Sequence, residues 1–250
     1  MIWNTAVLGG FVIVAASLVG AGAQEKEARP RNVPFYTWVR EDTFAGWMND
    51  DPVRHARGMK RAQEFVDENP NHAQALNWLG TGKIFEATSA YAAGDQAKGD
   101  ALYQAGFAEM EKAVTMAPND GGIRATTSGT LMYFAGKLPD RHYRQAVEKA
   151  REHYAALYKM QEAMLNLLPL HLKGELLAGV AETEFRVGDR EKGIAFLNRI
   201  VTGMPGTPYA RTAETWLKAP EAVTNDSRLV CQSCHEPGRL QSWMARQPSL

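Results

Sequence analysis

Residues 61–71 read Arg-Ala-Gln-Glu-Phe-Val-Asp-Glu-Asn-Pro-Asn, and this stretch decides the fold. The segment that leads into it is amphipathic, because its apolar residues recur every three or four positions, as on one face of an α-helix. Pro70 cannot continue that helix, since proline lacks a backbone donor and its ring clashes with the preceding turn. A second helical segment begins directly afterwards. The stretch therefore predicts two antiparallel helices joined by a short turn.

The same pattern recurs twice further along the chain, at 109–120 and 195–205. Each amphipathic segment again stops at a proline, Pro118 or Pro205, and another segment follows. No long alternating β-branched run, the pattern of a strand, interrupts residues 51–218. The pattern predicts helices over 52–68, 72–93, 96–117, 121–135, 140–167, 170–187, 190–203 and 207–218.

Several of these positions resemble the tetratricopeptide repeat family. Leu76, Leu79 and Gly80 match the Leu-Gly pattern of the family's first helix. Residues 188–193 resemble the turn and second-helix start of another repeat, and Ala113 fits the small position where a second helix meets the next repeat. The resemblance covers about two-thirds of the chain and implies an all-α fold, a right-handed superhelical array of antiparallel helix pairs with a concave protein-binding face.

The sequence departs from the family in three places. The spacing from Pro70 to Pro118 exceeds the family's unit of roughly 34 residues. Thr-Thr-Ser at 126–128 stands where the family has Leu-Gly, and the predicted helix 140–167 is overlong. We therefore expect about three to four irregular repeats in a domain spanning 51–219.

Composition limits the classes of function that are open to this chain. Hydrophobic residues make up 45% and charged residues 22%, as in soluble globular proteins. The 28 basic and 28 acidic residues cancel, which argues against a nucleic-acid partner and gives no reason to expect strong binding to an anionic membrane surface. Because there are only two cysteines, a scaffold held by several disulfides is excluded.

The N-terminus has the layout of a secretory signal. Residues 6–23 are uncharged and mostly apolar, polarity rises at Gln24, and Ala21-Gly22-Ala23 is the small-residue pattern that signal peptidase cleaves. We therefore predict a signal peptide over 1–23, export to the periplasm and no membrane span in the mature protein. The alternative is an uncleaved anchor, since this apolar run could barely span a bilayer, but its glycines would weaken such a helix.

Two further segments flank the predicted repeat domain. Residues 24–50 contain Pro30, Pro34 and scattered charges, which break any helical period and predict an extended lead-in. After Pro220 the helical pattern stops, which leaves a C-terminal tail over 220–250.

The chemistry of the sequence lies in this tail, at Cys231-Gln232-Ser233-Cys234-His235. C-x-x-C-H is the spacing of a haem-attachment site. Two thiols one helical turn apart can reach the two vinyl groups of haem, and the adjacent histidine then faces the iron. The motif resembles that of c-type cytochromes, which implies thioethers at Cys231 and Cys234, His235 as the proximal iron ligand, and one covalently bound haem c.

Three other interpretations of the two cysteines remain open. A disulfide of the thioredoxin type would require a surrounding βαβ pattern, which the sequence lacks. A structural zinc site requires four ligands, and only His235 is nearby. The spacing could also be accidental in an unmodified tail. Export favours haem, because c-type maturation takes place outside the cytoplasm.

The tail is too short to enclose a haem, because only fifteen residues follow His235. We therefore expect the repeat domain or a partner to cover one face, with the tail docked on helix 207–218 at Tyr209, Trp216 and Leu217. Met244 is our first candidate for the distal ligand. Further candidates from outside the tail are Met48, Met59, His171 and Met204. We expect the remaining histidines at surface or capping positions, namely His55, His72, His142 and His153.

These patterns predict a periplasmic redox protein, in which the repeat domain docks a protein partner, such as another redox protein, and one haem passes one electron. The alternative is a non-catalytic scaffold, in which the haem is structural or the tail contacts a larger redox complex. A third possibility, a peroxidase-like haem enzyme or gas sensor, would require a polar distal group that the sequence does not indicate. An electron carrier or scaffold is therefore favoured over an enzyme.

The apolar run and its cleavage pattern lead to a first testable prediction. Protein expressed in a host with a secretory pathway should begin near Gln24, because Ala21-Gly22-Ala23 fits signal peptidase. Intact-mass measurement of the exported chain checks this. A chain that still begins at Met1 and sediments with membranes would instead indicate an anchor.

Overall fold

A computed structural model describes residues 35–49 and 51–230. These residues form α-helices and two short 3-10 segments, and no strand occurs among them. The 3-10 segments are Glu162–Leu167 and Pro220–Ala222. The helices are α1 (Phe35–Met48), α2 (Pro52–Glu68), α3 (Ala73–Ala92), α4 (Gln96–Met116), α5 (Gly121–Ala135), α6 (Asp140–Gln161), α7 (Leu170–Val187), α8 (Arg190–Gly203) and α9 (Pro208–Lys218).

The helices predicted from the proline pattern are confirmed. The bounds of α2, α5, α7 and α8 match the predicted ranges. Those of α4 and α9 differ by one residue at one end, and those of α3 by one residue at each end. Aspartate side chains accept a hydrogen bond from a first-turn N–H at four of the starts, and this cap satisfies a donor that the helix itself cannot. The capping residues are Asp51, Asp95, Asp120 and Asp189.

Two predicted elements were wrong. Residues 35–48 were expected in the extended lead-in, but they form α1, which begins directly after Pro34. Proline disrupts the interior of a helix but is compatible with its start. Pro34 therefore did not exclude a helix that follows it. The predicted helix 140–167 ends instead at Gln161, and a 3-10 segment follows. Leu168 is extended because it precedes Pro169, which disfavours the helical conformation there.

The helices pack in neighbouring pairs. The pairs are α1 with α2, α3 with α4, α5 with α6 and α7 with α8, and α9 packs on α8. The first helices of successive pairs also touch, so that α1 contacts α3, α3 contacts α5, and α5 contacts α7. The all-α class is therefore confirmed. None of the helices in the described part of the chain is long and apolar enough to cross a membrane.

The pair α3–α4 is in contact through backbone. A Cβ added at Gly80 would lie 2.6 Å from the carbonyl oxygen of Gly106, and a Cβ at Gly106 would lie 2.6 Å from that of Gly80. Such distances are shorter than real contacts, so both positions require the absence of a side chain. The Gly80 that matches the family's Leu-Gly pattern thus lies at a close helix crossing.

In two of the helix pairs, an aromatic ring of the first helix packs on a glycine of the second. Tyr91 near the end of α3 packs on Gly99, the fourth residue of α4, and Phe185 near the end of α7 packs on Gly193, the fourth residue of α8. The spacing is eight residues in both cases. This internal repeat was not recognised in the sequence, because an aromatic residue and a glycine eight positions apart form no standard motif.

Three histidines that were expected at surface or capping positions are instead buried. In each of them Nε2 lies within hydrogen-bond distance of a carboxylate on another helix. This partner offsets the cost of burying the polar ring. The pairs are His55–Glu86 at 3.2 Å, His142–Asp100 at 2.8 Å and His153–Glu111 at 2.6 Å. Hydrogen bonds from Arg141 and His142 lower the pKa of Asp100 to about 2. His72 does cap a helix, since its Nδ1 accepts from the Ala75 N–H.

The glycine crossing generates a stability prediction. Gly80→Leu should lower the free energy of unfolding by about 1–3 kcal/mol or more, because the new side chain meets the backbone of α4. Gly129→Ala in α5 is the matched control, since a Cβ there meets only the Tyr154 hydroxyl at 3.7 Å. The control should melt at or above the wild-type temperature. Equal melting temperatures for both variants in a thermal scan would show that Gly80 is not at a close crossing.

Candidate functional site at the C-terminal tail

The sequence-predicted site lies just beyond the described residues. Cys231, Cys234, His235 and Met244 are all outside them. The described chain ends at Val230, one peptide bond before Cys231. Val230 is therefore the described residue nearest in sequence to the attachment motif.

The two residues that precede the motif are part of the protein interior. Leu229 is 0% exposed and Val230 is 1% exposed, and both belong to the main hydrophobic core, which also includes Val180, Ala181 and Phe185 of α7. A segment that is free of the domain would leave these side chains in water. The tail is therefore built into the helical array up to the residue before Cys231.

The backbone of this segment is held by Glu182, a carboxylate of α7 with no exposed surface. Its Oε2 accepts hydrogen bonds from the N–H groups of Leu229 at 2.7 Å and Val230 at 2.9 Å. Its Oε1 accepts from Nη2 of Arg186 at 2.8 Å. A buried carboxylate is stable only when it is paired and hydrogen-bonded, so both oxygens of Glu182 depend on these donors.

Arg186 holds the same segment from one turn further along α7. Its side chain is 1% exposed and lies on the same face as Glu182, because residues four apart are neighbours on a helix. It donates to the carbonyl oxygens of Ser227, at 2.6 Å, and of Asn225. We call Glu182 and Arg186, with the backbone of 225–230 that they bind, the tail clamp.

Other helices complete the contact with the tail. The Tyr143 hydroxyl of α6 donates to the side-chain oxygen of Asn225 at 2.6 Å. At the end of α5, a Cβ on Gly136 would lie 3.0 Å from Nη2 of Arg228. Arg228 also approaches Oε1 of Glu182, at 3.8 Å. Three helices therefore surround the approach to the motif.

The predicted docking on α9 concerns the part of the tail after His235, which lies outside the described residues. The described segment 225–230 binds side chains of α6 and α7 and passes the end of α5. The two large aromatic residues of α9 are already used within the array. Tyr209 is 1% exposed and packs on Gly174, while Trp216 lies edge-on to Phe185 with ring centroids 5.4 Å apart. Both rings are therefore buried by contacts with neighbouring helices.

Two of the candidate distal ligands outside the tail occupy packing positions. Met204 is 3% exposed within the main core, and Met59 packs against Gly82 of α3. His171 is exposed and lies at the other end of α7 from the clamp, with its Nδ1 3.2 Å from the Tyr209 hydroxyl. Among the residues that the structure describes, no group of three or more His, Cys, Asp or Glu side chains is arranged to hold a metal ion. Met244 lies outside the described residues and stays a prediction.

No protein-family model, curated protein or solved structure matches this chain. The tetratricopeptide and cytochrome resemblances therefore rest on the residues quoted above and stay predictions.

The burial of Leu229 and Val230 predicts that the tail stabilises the array. A chain truncated after Ala222 should melt at least roughly 6 °C below the full-length protein, because it loses two buried side chains that contribute about 1.5–3 kcal/mol each. A chain truncated after Ser233 is the control and should melt near the full-length temperature. If both truncations melt alike, the tail is an appendage and does not complete the fold.

Proposed function

We propose that this chain is an exported mono-haem c-type protein that transfers one electron to or from a docked protein partner. The observation that carries the proposal is the burial and hydrogen bonding of the segment directly before the motif. Cys231 follows directly from a buried, hydrogen-bonded segment, so the first attachment cysteine starts from a fixed point on the array. A C-x-x-C-H in a wholly unstructured tail would have no such support.

We further propose that the helix pairs form a right-handed solenoid of the tetratricopeptide type. Two observations support this architecture: the first helices of successive pairs contact one another in series, and the α3–α4 and α7–α8 pairs share the ring-on-glycine contact. The first helices α3 and α7 begin 97 residues apart, two pairs along the chain, so the unit is longer than the family's roughly 34 residues. Such an array presents an extended surface for a protein partner.

The donor set at the tail fits a covalent haem. Cys231 and Cys234 supply two thiols for the thioethers, and His235 supplies an imidazole for the iron. Haem bound there would supply a reversible one-electron couple. The chain's own contribution is to hold the two residues before the motif, Leu229 and Val230, in the protein interior. The periplasmic location follows from the predicted signal peptide.

A second candidate function, a scaffold that holds a partner, is favoured by an exposed apolar surface. Its residues are Met160, Met164, Leu167, Leu170 and Leu172, each between 41% and 84% exposed. These residues lie within thirteen positions of one another in the sequence, and exposed apolar residues that form one patch mark an interaction site. Leu170 is twelve residues before Glu182 on α7, about 18 Å along the helix axis, so a partner held there need not contact the tail. Reduction and reoxidation of the haem by a partner on a millisecond timescale would favour electron transfer over this function.

Covalent haem is tested by mass. Wild-type protein matured in a host with c-type maturation should gain the mass of one haem and show a haem-linked band in a denaturing gel. Cys231→Ser/Cys234→Ser should lose both, because no thioether can form. Wild-type protein without the added mass would contradict the redox function and the structural-haem version of the scaffold alike.

The distal ligand is tested separately. Met244→Ala should change the absorption spectrum and let carbon monoxide bind the reduced protein, because removal of the thioether opens the sixth position of the iron. Met164→Ala, at a methionine that is 49% exposed on the apolar surface, is the matched control and should leave the spectrum unchanged. A Met244→Ala spectrum identical to that of the wild type would eliminate Met244 as the ligand.

A further inference from the structure

We propose that the tail clamp is a backbone-binding site that positions the attachment motif before haem is bound, with Glu182 as its positioning residue. The purpose assigned to the clamp rests on the proposed function. Its existence as a peptide-binding site does not, because every contact that forms it lies within the described residues.

The clamp binds main chain rather than side chains. Two residues one turn apart on α7 engage four backbone groups of one short segment: Glu182 accepts two N–H groups, and Arg186 donates to two carbonyls. The bound groups fall into two sets along the segment, carbonyls at Asn225 and Ser227 and then N–H groups at Leu229 and Val230. The register of the segment is fixed by its side chains, since a shift by one residue would put Arg228 in the buried place of Leu229.

A neighbouring carboxylate shows that a buried carboxylate on α7 can find its hydrogen-bond partners without the tail. Glu184 is 1% exposed and lies two residues from Glu182. Its oxygens are bound by Arg151, at 2.8 Å, and by Lys192, without a hydrogen bond from the described tail residues 220–230. Glu182 differs because the donors to its Oε2 are backbone groups of the tail. Its charge is thus matched to a segment that ends at the first attachment cysteine.

The clamp can close without haem, since none of its contacts involves residues 231–235. The segment is then ordered when the protein folds, so the later attachment of haem does not have to order it. The backbone of Val230, the residue before Cys231, can thus be bound by α7 in the apoprotein as well as in the mature protein. The clamp therefore determines which side of the array the attachment motif meets.

Amide hydrogen exchange of the full chain carrying Cys231→Ala/Cys234→Ala tests this without haem. The amides of Leu229 and Val230 should exchange slowly, and Glu182→Ala in the same background should speed them about a hundredfold or more, because both acceptor contacts are lost. Glu184→Ala is the matched control and should leave these two amides protected. In haem-loaded protein, Glu182→Ala should shift the reduction midpoint, whereas Glu184→Ala should not.

A second variant acts from the tail side, in case Glu182→Ala does not fold. Val230→Pro removes one of the two donors without altering any helix. It should speed exchange at Leu229, while the amides around Gly80 and Gly106 stay protected.

Two results would overturn the clamp: fast exchange at Leu229 and Val230 in the haem-free chain, or equal protection there in the Glu182→Ala and Glu184→Ala chains. Absence of haem in wild-type protein would instead contradict the proposed function, and the exchange results would still stand.

Discussion

A charged group with no exposed surface must find all of its partners inside the protein, and Glu182 meets this constraint by joining two parts of the chain. One oxygen is bound by Arg186 of its own helix, and the other by the backbone of the tail, 47 and 48 residues away. Removal of either partner would leave a buried charge uncompensated, which is more costly than the loss of one hydrogen bond between neutral groups. The end of the array, the path of the tail and the start of the attachment motif all depend on this carboxylate.

The helices could be predicted because their limits are set locally. A proline or a capping aspartate acts within one turn, so Asp95 or Pro118 marks a boundary whatever lies around it. The missed helix α1 shows where this logic fails. Pro34 is both a breaker of a preceding helix and an acceptable start for a following one, and only packing decides between the two. In α1 that packing includes Asp42, which is buried against Arg54, Arg57 and Arg61 of α2.

The candidate site likewise has one part that the sequence predicts and one part that it does not. Cys231, Cys234 and His235 are recognisable because their spacing alone carries the chemistry. The clamp was missed because its partners are far apart in sequence and its tail side is backbone, which has no residue signature. One signal was present: Glu182 lies within the apolar segment 176–185 of a helix, and Arg186, four residues further on, directly follows that segment. Charges in such a segment indicate either a buried pair or a bound partner, and here both are found.

The topology connects the clamp with the rest of the array. The first helices of the pairs contact one another in series, and near the ends of α1 and α5 the rings of Trp47 and Phe134 lie 5.3 Å apart. Phe134 is two residues from Gly136, beside which Arg228 of the tail passes. Residues 225–230 thus approach the array near the ends of the first helices α5 and α7. Under the proposed function, a haem attached at Cys231 would start from this edge. A partner that exchanges electrons with it would then dock at the same edge, whereas the exposed apolar surface at the start of α7 would serve a different contact.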